Sequence, residues 1–270
     1  MSDRYGVIGH PIAHSKSPVI HGLFADQTGE KISYEAFDIA PAELEARVRA
    51  LVKKGMRGLN VTVPHKEAAA NLVDTCTPRA ELAGAVNTIT VTDNGKLSGD
   101  NTDGLGLTRD LDRNLKVDIH DAHILILGAG GAARGVIPAL LMAGPAEVCV
   151  ANRTIERAQE LAERFGELGT VRACNFDELG AETFDLIINA TSAGLHGDMP
   201  PFPDGILGRG STCYDLSYAM SETPFVQWAR QRGVKSAHQG WGMLVEQAAE
   251  AFKIWRGVRP DTGPVLRRLP

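Results

Sequence analysis

The chain has 270 residues, enough for one large domain or two modest ones at the usual ~150 residues per domain, and either size can bury a proper core. Apolar residues at 43% and charged residues at 23% are those of an ordinary globular protein, which excludes disordered, collagen-like and coiled-coil chains. A net charge of -5, with no block of five like charges, argues against a nucleic acid or an anionic membrane as partner.

From the N-terminus, short apolar runs alternate with longer segments of helical period: YGVIG, PVIHGLFADQ, ISYEAFDI, PAELEARVRALVKK, GLNVTV and HKEAAANLV. This alternation predicts βαβ units and a parallel sheet. The rhythm breaks where Val86 to Thr92, the turn Asp93-Asn94-Gly95 and Lys96 to Gly99 predict a β-hairpin. Residues 104–115, GLGLTRDLDRNL, predict a helix that bridges to a second series. That series runs HILILGAGGAARGVIPALLMAG, AEVCVANRT, IERAQELAERFG, FDLIINATSAG, STCYDLSY and PFVQWARQRG, and predicts a second parallel sheet. A Gly-containing break at Gln239–Gly242 precedes a last helix, MLVEQAAEAFKIWRG, which has no strand to follow and is expected to return to the first domain. The expected division is residues 1–103 completed by 240–270, and residues 104–239.

The longest stretch without Asp, Glu, Lys or Arg, Gly135–Ala146, has 12 residues, short of the ~20 of a membrane-spanning helix. With charges from the third residue on, the start does not look like a signal peptide, and a cytoplasmic protein is expected. Cys76, Cys149, Cys174 and Cys213 form no CxxC pair and suit neither a disulfide framework nor a zinc site, so they read as reduced, inert thiols.

The predicted strand HILILG runs into Gly128-Ala129-Gly130-Gly131-Ala132-Ala133, a GxGxxA pattern, and then into an apolar helix. That is the order of a dinucleotide-binding unit. Glycines there let the backbone turn sharply and approach a pyrophosphate, whose charge sits among the unpaired N–H groups of the helix N-terminus. The next strand, AEVCVA, ends in Asn152-Arg153-Thr154, without the carboxylate that usually holds the ribose 2′-hydroxyl of NAD. Arg153, with Arg157 one turn on, instead suits a 2′-phosphate, so the pattern predicts NADP.

In the first half, Ser17-Pro18 predicts a helix N-cap and first helical residue, with Ser15 just before. The two hydroxyls cap the helix or, at its positive end, hold a carboxylate. Lys66 enters a helix in its first turn, where a cation opposes the dipole; such a lysine suits general acid-base work, the alternative being one that snorkels to water. Asp103 reads as an N-cap or as a carboxylate that orients Lys66. On the last helix Gln247 falls in the apolar stripe of Met243, Ala251 and Ile254 and needs a partner, whereas Glu246, Glu250 and Lys253 gather on another face. His10, His14 and His21 are spaced too irregularly for a metal site, and no metal is expected.

Eight motifs in order, GHPIAHSKSP, NVTVPHK, GAVNT, NTDG, GAGGAAR, ANRT, YDLSY and GMLVEQAAEAF, resemble the shikimate dehydrogenase family along nearly the whole chain. The resemblance implies an N-terminal α/β substrate domain and a Rossmann-type, doubly wound NADP domain flanking a cleft. It implies NADPH-dependent reduction of 3-dehydroshikimate to shikimate, in chorismate and aromatic amino-acid biosynthesis. Ser15 and Ser17 would bind the substrate carboxylate, and Thr62, Lys66, Asn87 and Asp103 the ring hydroxyls, with Lys66 and Asp103 catalytic. Tyr218 and Gln247 would complete the pocket. Gly128, Ala129, Gly130, Gly131 and Ala132 would cradle the pyrophosphate, Asn152, Arg153, Thr154 and Arg157 the 2′-phosphate, and Thr191, Leu216 and Gly240 would lie nearer the nicotinamide.

The chain departs from the family where Asn is frequent at the position of Gly22, Lys at that of Arg157, and an acidic residue near Pro78. The alternative functions are a quinate/shikimate dehydrogenase working with NAD, against which Arg153 speaks, and a non-catalytic NADP-binding sensor, against which Lys66 and Asp103 speak. A homodimer is left open.

Overall fold

The computed structural model describes residues 2–180, 182–191, 199 and 202–269. The chain divides into two compact units, residues up to 106 with 244–269, and residues 107–243. Both breaks come a few residues later than the sequence suggests, because each falls inside a helix.

The first unit contains β1 (Asp3–Gly9), α1 (Ser17–Thr28), β2 (Ile32–Asp38), α2 (Leu44–Lys53), β3 (Met56–Val61), α3 (Lys66–Leu72), β4 (Thr75–Cys76), α4 (Pro78–Ala83), β5 (Thr88–Val91), β6 (Leu97–Asp100) and the start of α5 (Asp103–Arg109). Tyr5 to Gly9 are buried one after another, as in a strand covered on both faces. The sheet order is β2-β1-β3-β5-β6-β4. β1 runs parallel to β2 and β3, as the βαβ reading expects, and the expected hairpin enters the same sheet with β5 antiparallel to both β3 and β6. One core contains Ile8, Val48, Leu59 and Ile89. In another, Ile20 and Phe24 of α1 pack on Val245, Ala248 and Phe252.

The second unit contains β7 (His123–Leu127), α6 (Gly131–Met142), β8 (Glu147–Ala151), α7 (Ile155–Phe165), β9 (Val171–Cys174), β10 (Phe184–Asn189), β11 (Leu207–Asp215), α8 (Pro224–Gln231) and β12 (Ser236–Gln239). Its sheet is parallel throughout, in the order β12-β11-β10-β7-β8-β9, the doubly wound arrangement whose strand order reverses between β7 and β10. The expected bridging helix becomes π-helical from Asp110 to Leu115. There the buried Asp110 carboxylate accepts the Tyr214 hydroxyl at 2.7 Å and fills the space where a Cβ on Gly242 would stand.

The last long helix, α9 (Trp241–Arg256), begins in the second unit and continues in the first, followed by α10 (Gly263–Leu266). On its polar face Lys253 is exposed, but Glu246 and Glu250 are buried because Arg259 folds back and donates to both, at 2.5 and 3.3 Å, while Thr262 Oγ1 donates to Glu246. No helix among the described residues is long and apolar enough to cross a membrane.

Candidate active site

Chemistry-bearing residues of the first unit gather where β1 and β3 end. These strands run parallel with Ile8 beside Val61, so the loops after them leave side by side, Thr62 N donating to Ile8 O and His10 N to Val63 O. Gly9 keeps the crossing tight, since a Cβ there would stand 2.6 Å from Thr62 Cγ2. One loop leads to Ser15 and Ser17, the other to Lys66. Thr88 of β5 lies beside Asn60 of β3, so the start of β5 delivers Asn87 to the same edge. β6 ends there too, and the turn after it delivers Asp103. That turn is anchored by Asp100, which Arg79 grips with Nε and Nη2 at 2.5 and 2.8 Å.

Lys66 Nζ donates to Asp103 Oδ2 at 2.6 Å, with side chains only 11% and 4% exposed, so water screens the pair little. Asn87 Nδ2 donates to the other carboxylate oxygen at 2.9 Å and to Thr102 Oγ1 at 2.9 Å. Gln247, whose Nε2 donates to Leu244 O, brings its Oε1 within 3.3 Å of Asn87 Nδ2 and 3.4 Å of Thr102 Oγ1. Four of the expected residues, Lys66, Asn87, Asp103 and Gln247, thus form one connected polar cluster. Thr62 and Ser15 lie on the adjoining loops and Ser17 at the start of α1, and among the described residues none of the three makes a hydrogen bond to it.

Two capping expectations need correction. Ser17 is the first residue of α1 and Pro18 the second, after Lys16 at the N-cap; Ser15 Oγ accepts the Ser17 N–H at 3.3 Å. Asp103 is likewise the first residue of α5, its N–H donating to Asn101 Oδ1 at 3.0 Å. In both turns the polar side chain two residues earlier takes the helix N–H. Sequence reasoning missed Asn60, Thr88 and Thr102, all buried and polar. The signal was present in Asn60 within GLNVTV and Thr88 within NTITV, where a polar side chain in an apolar strand demands a partner.

In the second unit, Gly128 follows β7 at φ 103, a conformation that disfavours any side chain, and a Cβ there would press on the Ala190 backbone at 3.2 Å. Gly130 is the N-cap of the 12-residue α6; no side chain caps it, and a Cβ there would meet nothing within 4 Å. Uncapped N–H groups facing open space fit a pyrophosphate. Gly128 N donates to Ala151 O, which sets the end of β8 beside this turn. Asn152 Nδ2 then donates to Thr154 O, ahead of α7 and its exposed Arg157. Arg153 is exposed and, among the described residues, makes no hydrogen bond or ion pair. That leaves its guanidinium available to an anion.

Across the sheet, Thr191 N and Oγ1 both donate to Asn189 Oδ1, at 3.1 and 2.7 Å, and Asn189 Nδ2 donates to the buried Asp215. Burial pushes the Asp215 carboxyl up from its usual range. Leu216 N donates to Asn189 O, and Gly240 packs so closely on Leu216 that a Cβ would stand 2.5 Å from its carbonyl oxygen. Thr191, Leu216 and Gly240 are thereby brought together at the carboxyl ends of β10, β11 and β12. Tyr218 also belongs to this unit, its ring 4.6 Å from that of Trp241. The end of the segment FDLIINATSAG, beyond Thr191, lies outside the described residues.

Three family models match the chain: the shikimate dehydrogenase substrate binding domain over residues 7–89, shikimate / quinate 5-dehydrogenase over 110–196, and the shikimate 5'-dehydrogenase C-terminal domain over 240–269. The chain is 54% identical over 269 residues to the shikimate dehydrogenase (NADP(+)) of Alkalilimnicola ehrlichii, covering 100% of this chain and 99% of that one. The crystal structure of an Ael1 enzyme from Pseudomonas putida superposes with a TM-score of 0.89 at 44% identity, over 99% of this chain and 98% of that one. The shikimate 5-dehydrogenase of Thermus thermophilus, solved in complex with NADP(H) and shikimate, does so with a TM-score of 0.86 at 37% identity, over 98% and 99%.

Proposed function

The chain belongs to the shikimate dehydrogenase family, and from that premise we propose how its residues divide the work of the reaction. It is an NADP-dependent oxidoreductase that interconverts 3-dehydroshikimate and shikimate in the biosynthesis of chorismate and the aromatic amino acids. Bound NADPH supplies the hydride that reduces the ring ketone.

The oxygen of that ketone must gain a proton, and Lys66 Nζ gives it; in the oxidative direction Nζ takes the hydroxyl proton. Asp103 accepts from Lys66 on one oxygen and from Asn87 on the other, which fixes the direction of the ammonium and balances its charge. Asn87, Thr62 and Gln247 meet the ring hydroxyls, and the long contacts of Gln247 Oε1 leave that acceptor most ready for a new donor. Ser15 and Ser17 hold the carboxylate at the positive end of α1, and Tyr218 is assigned to substrate from the second unit.

Gly128, Ala129, Gly130, Gly131 and Ala132 hold the pyrophosphate, and Asn152, Arg153, Thr154 and Arg157 the 2′-phosphate. Thr191, Leu216 and Gly240 serve the nicotinamide end. The first unit is accordingly assigned to substrate and the second to NADP. The net charge of -5 supports a protein that works on small molecules rather than nucleic acid.

The observation that carries these roles is the buried Lys66–Asp103 pair at 2.6 Å, with Asn87 on the second carboxylate oxygen. A turnover assay crossing shikimate and quinate with NADP and NAD tests the reading. The largest kcat/KM is expected for shikimate with NADP, and a preference for quinate with NAD would overturn it.

A further inference from the structure

Behind Asn87 runs a line of hydrogen bonds that all point the same way. The Tyr34 hydroxyl donates to Asn60 Oδ1 at 2.7 Å, Asn60 Nδ2 donates to Thr88 Oγ1 at 3.2 Å, and Thr88 Oγ1 donates to Asn87 Oδ1 at 2.8 Å. Asn87 Nδ2 then donates to Asp103, which holds Lys66. Asn60, Thr88 and Asn87 are buried, and the Tyr34 ring is stacked on buried His21 with centroids 4.1 Å apart.

The direction is not arbitrary, because two backbone groups in the line have only one possible role. Thr102 N can only donate, and it donates to Asn87 Oδ1 at 2.9 Å; the Asn87 carbonyl can only accept, and it accepts from Asn60 Nδ2 at 3.2 Å. Those two bonds show which way both amides face, and the bonds from Tyr34 and Thr88 add to them in holding that orientation. Asn60 then spends its second N–H on Thr88, so the Thr88 hydroxyl must give its own proton to Asn87. A carboxamide turned by 180° at Asn87 would set an oxygen against the Asp103 carboxylate, and in a buried site that repulsion would displace Asp103 from Lys66.

We propose that Thr88 and Tyr34 are positioning residues for the reaction: they hold the Asn87 amide so that its N–H faces Asp103, which in turn aims Lys66. The proposal rests on the roles given above to Lys66, Asp103 and Asn87. Neither Thr88 nor Tyr34 touches substrate in this scheme; each acts through Asn60 or Asn87. The relay explains why the polar side chains of Asn60 and Thr88 are buried.

The test is steady-state kinetics of the full chain, normalised to folded protein, for Thr88→Val, Thr88→Ser, Tyr34→Phe and Lys66→Met. Thr88→Val keeps the shape and removes the hydroxyl, and Tyr34→Phe removes only an oxygen. Each is expected to lower kcat by roughly 5- to 30-fold, with the KM for NADP unchanged and Thr88→Ser within about twofold of wild type. A purely structural role would lower the folded fraction and leave kcat per folded molecule intact. The proposal is overturned by kcat within about twofold of wild type in Thr88→Val, or by a loss that Thr88→Ser does not restore. If Thr88→Val does not fold, Tyr34→Phe decides alone by the same criterion. A Lys66→Met enzyme with wild-type kcat would instead overturn the reading of the site itself, whereas a disabled Lys66→Met beside an unaffected Thr88→Val overturns the relay only.

Discussion

Lys66→Met deletes the proton donor while keeping most of the apolar stem, and its effects on rate and on stability can be separated. General acid-base transfer contributes roughly 10²–10⁴-fold, so kcat should fall by that factor, with a smaller change in the KM for shikimate. Stability suffers as well, because Asp103 is only 4% exposed and would keep a donor on one oxygen instead of both. Breaking a buried pair costs about 3–5 kcal/mol; the remaining Asn87 bond argues for the lower end, about 3 kcal/mol, or a Tm lower by roughly 6–12 °C. Lys66→Met/Asp103→Asn removes the orphaned charge, so thermal unfolding should recover most of the loss while turnover does not recover. A Lys66→Met enzyme with wild-type kcat refutes the acid-base role. A double variant whose kcat rises in step with its Tm would show that Lys66 serves folding rather than proton transfer.

Ser15→Ala/Ser17→Ala should raise the KM for shikimate by roughly tenfold while Tm shifts by only a few degrees, because the helix loses a single long cap bond of 3.3 Å. A lowered Tm with unchanged KM would leave the hydroxyls a capping role alone. Arg153→Ala should weaken NADP use by roughly 10- to 150-fold and leave NAD use little changed, the size of a lost charge-assisted hydrogen bond; an unchanged ratio of kcat/KM for the two cofactors would show that other residues read the phosphate. Among the described residues His21 has no hydrogen-bond partner on either ring nitrogen, and burial outweighs the nearby Asn60 amide to hold it at about 3, well below the ordinary 6.5. The unfolded chain takes up a proton that the folded chain refuses, so this stability is complete above pH 6.5 and declines as the pH falls toward 3, by roughly 2 kcal/mol at pH 5. Urea unfolding at pH 7.5 and 5 should show that loss in the wild type and not in His21→Phe, and equal losses in the two would rule out His21 as the source.

The parts of the fold that were legible in the sequence are those whose causes are local. The GxGxxA turn, its strand and its helix are adjacent along the chain, and the hairpin turn Asp93-Asn94-Gly95 declares itself in three residues. β4, β9 and β12 gave no signal, since runs of two to four residues such as TC, VRAC and SAHQ are too short and too polar to show a period. The antiparallel insertion of β5 between β3 and β6 is a matter of register, which sequence spacing does not carry. Lys66 and Asp103, 37 residues apart, meet only because that register sets Thr88 beside both Asn60 and Asp100. A helical wheel places Glu246 and Glu250 on one face with Lys253 but does not show their partner, the Arg259 that folds back from beyond the helix end.

The two capping errors share a cause that bears on function. At Ser17 and at Asp103 the rule that the nearest polar residue caps the helix fails in the same way, because Ser15 and Asn101 reach forward two residues and take the N–H first. A side chain that caps is committed to its own backbone and has little left for a ligand. With capping passed to the earlier residue, both oxygens of Asp103 are free to take Lys66 and Asn87. Ser17 Oγ, at the first turn of α1, is left without a hydrogen bond among the described residues. Local preference gives way at the positions where a side chain has a task away from its own helix, so a misassigned cap beside a second polar residue is itself a signal of a site.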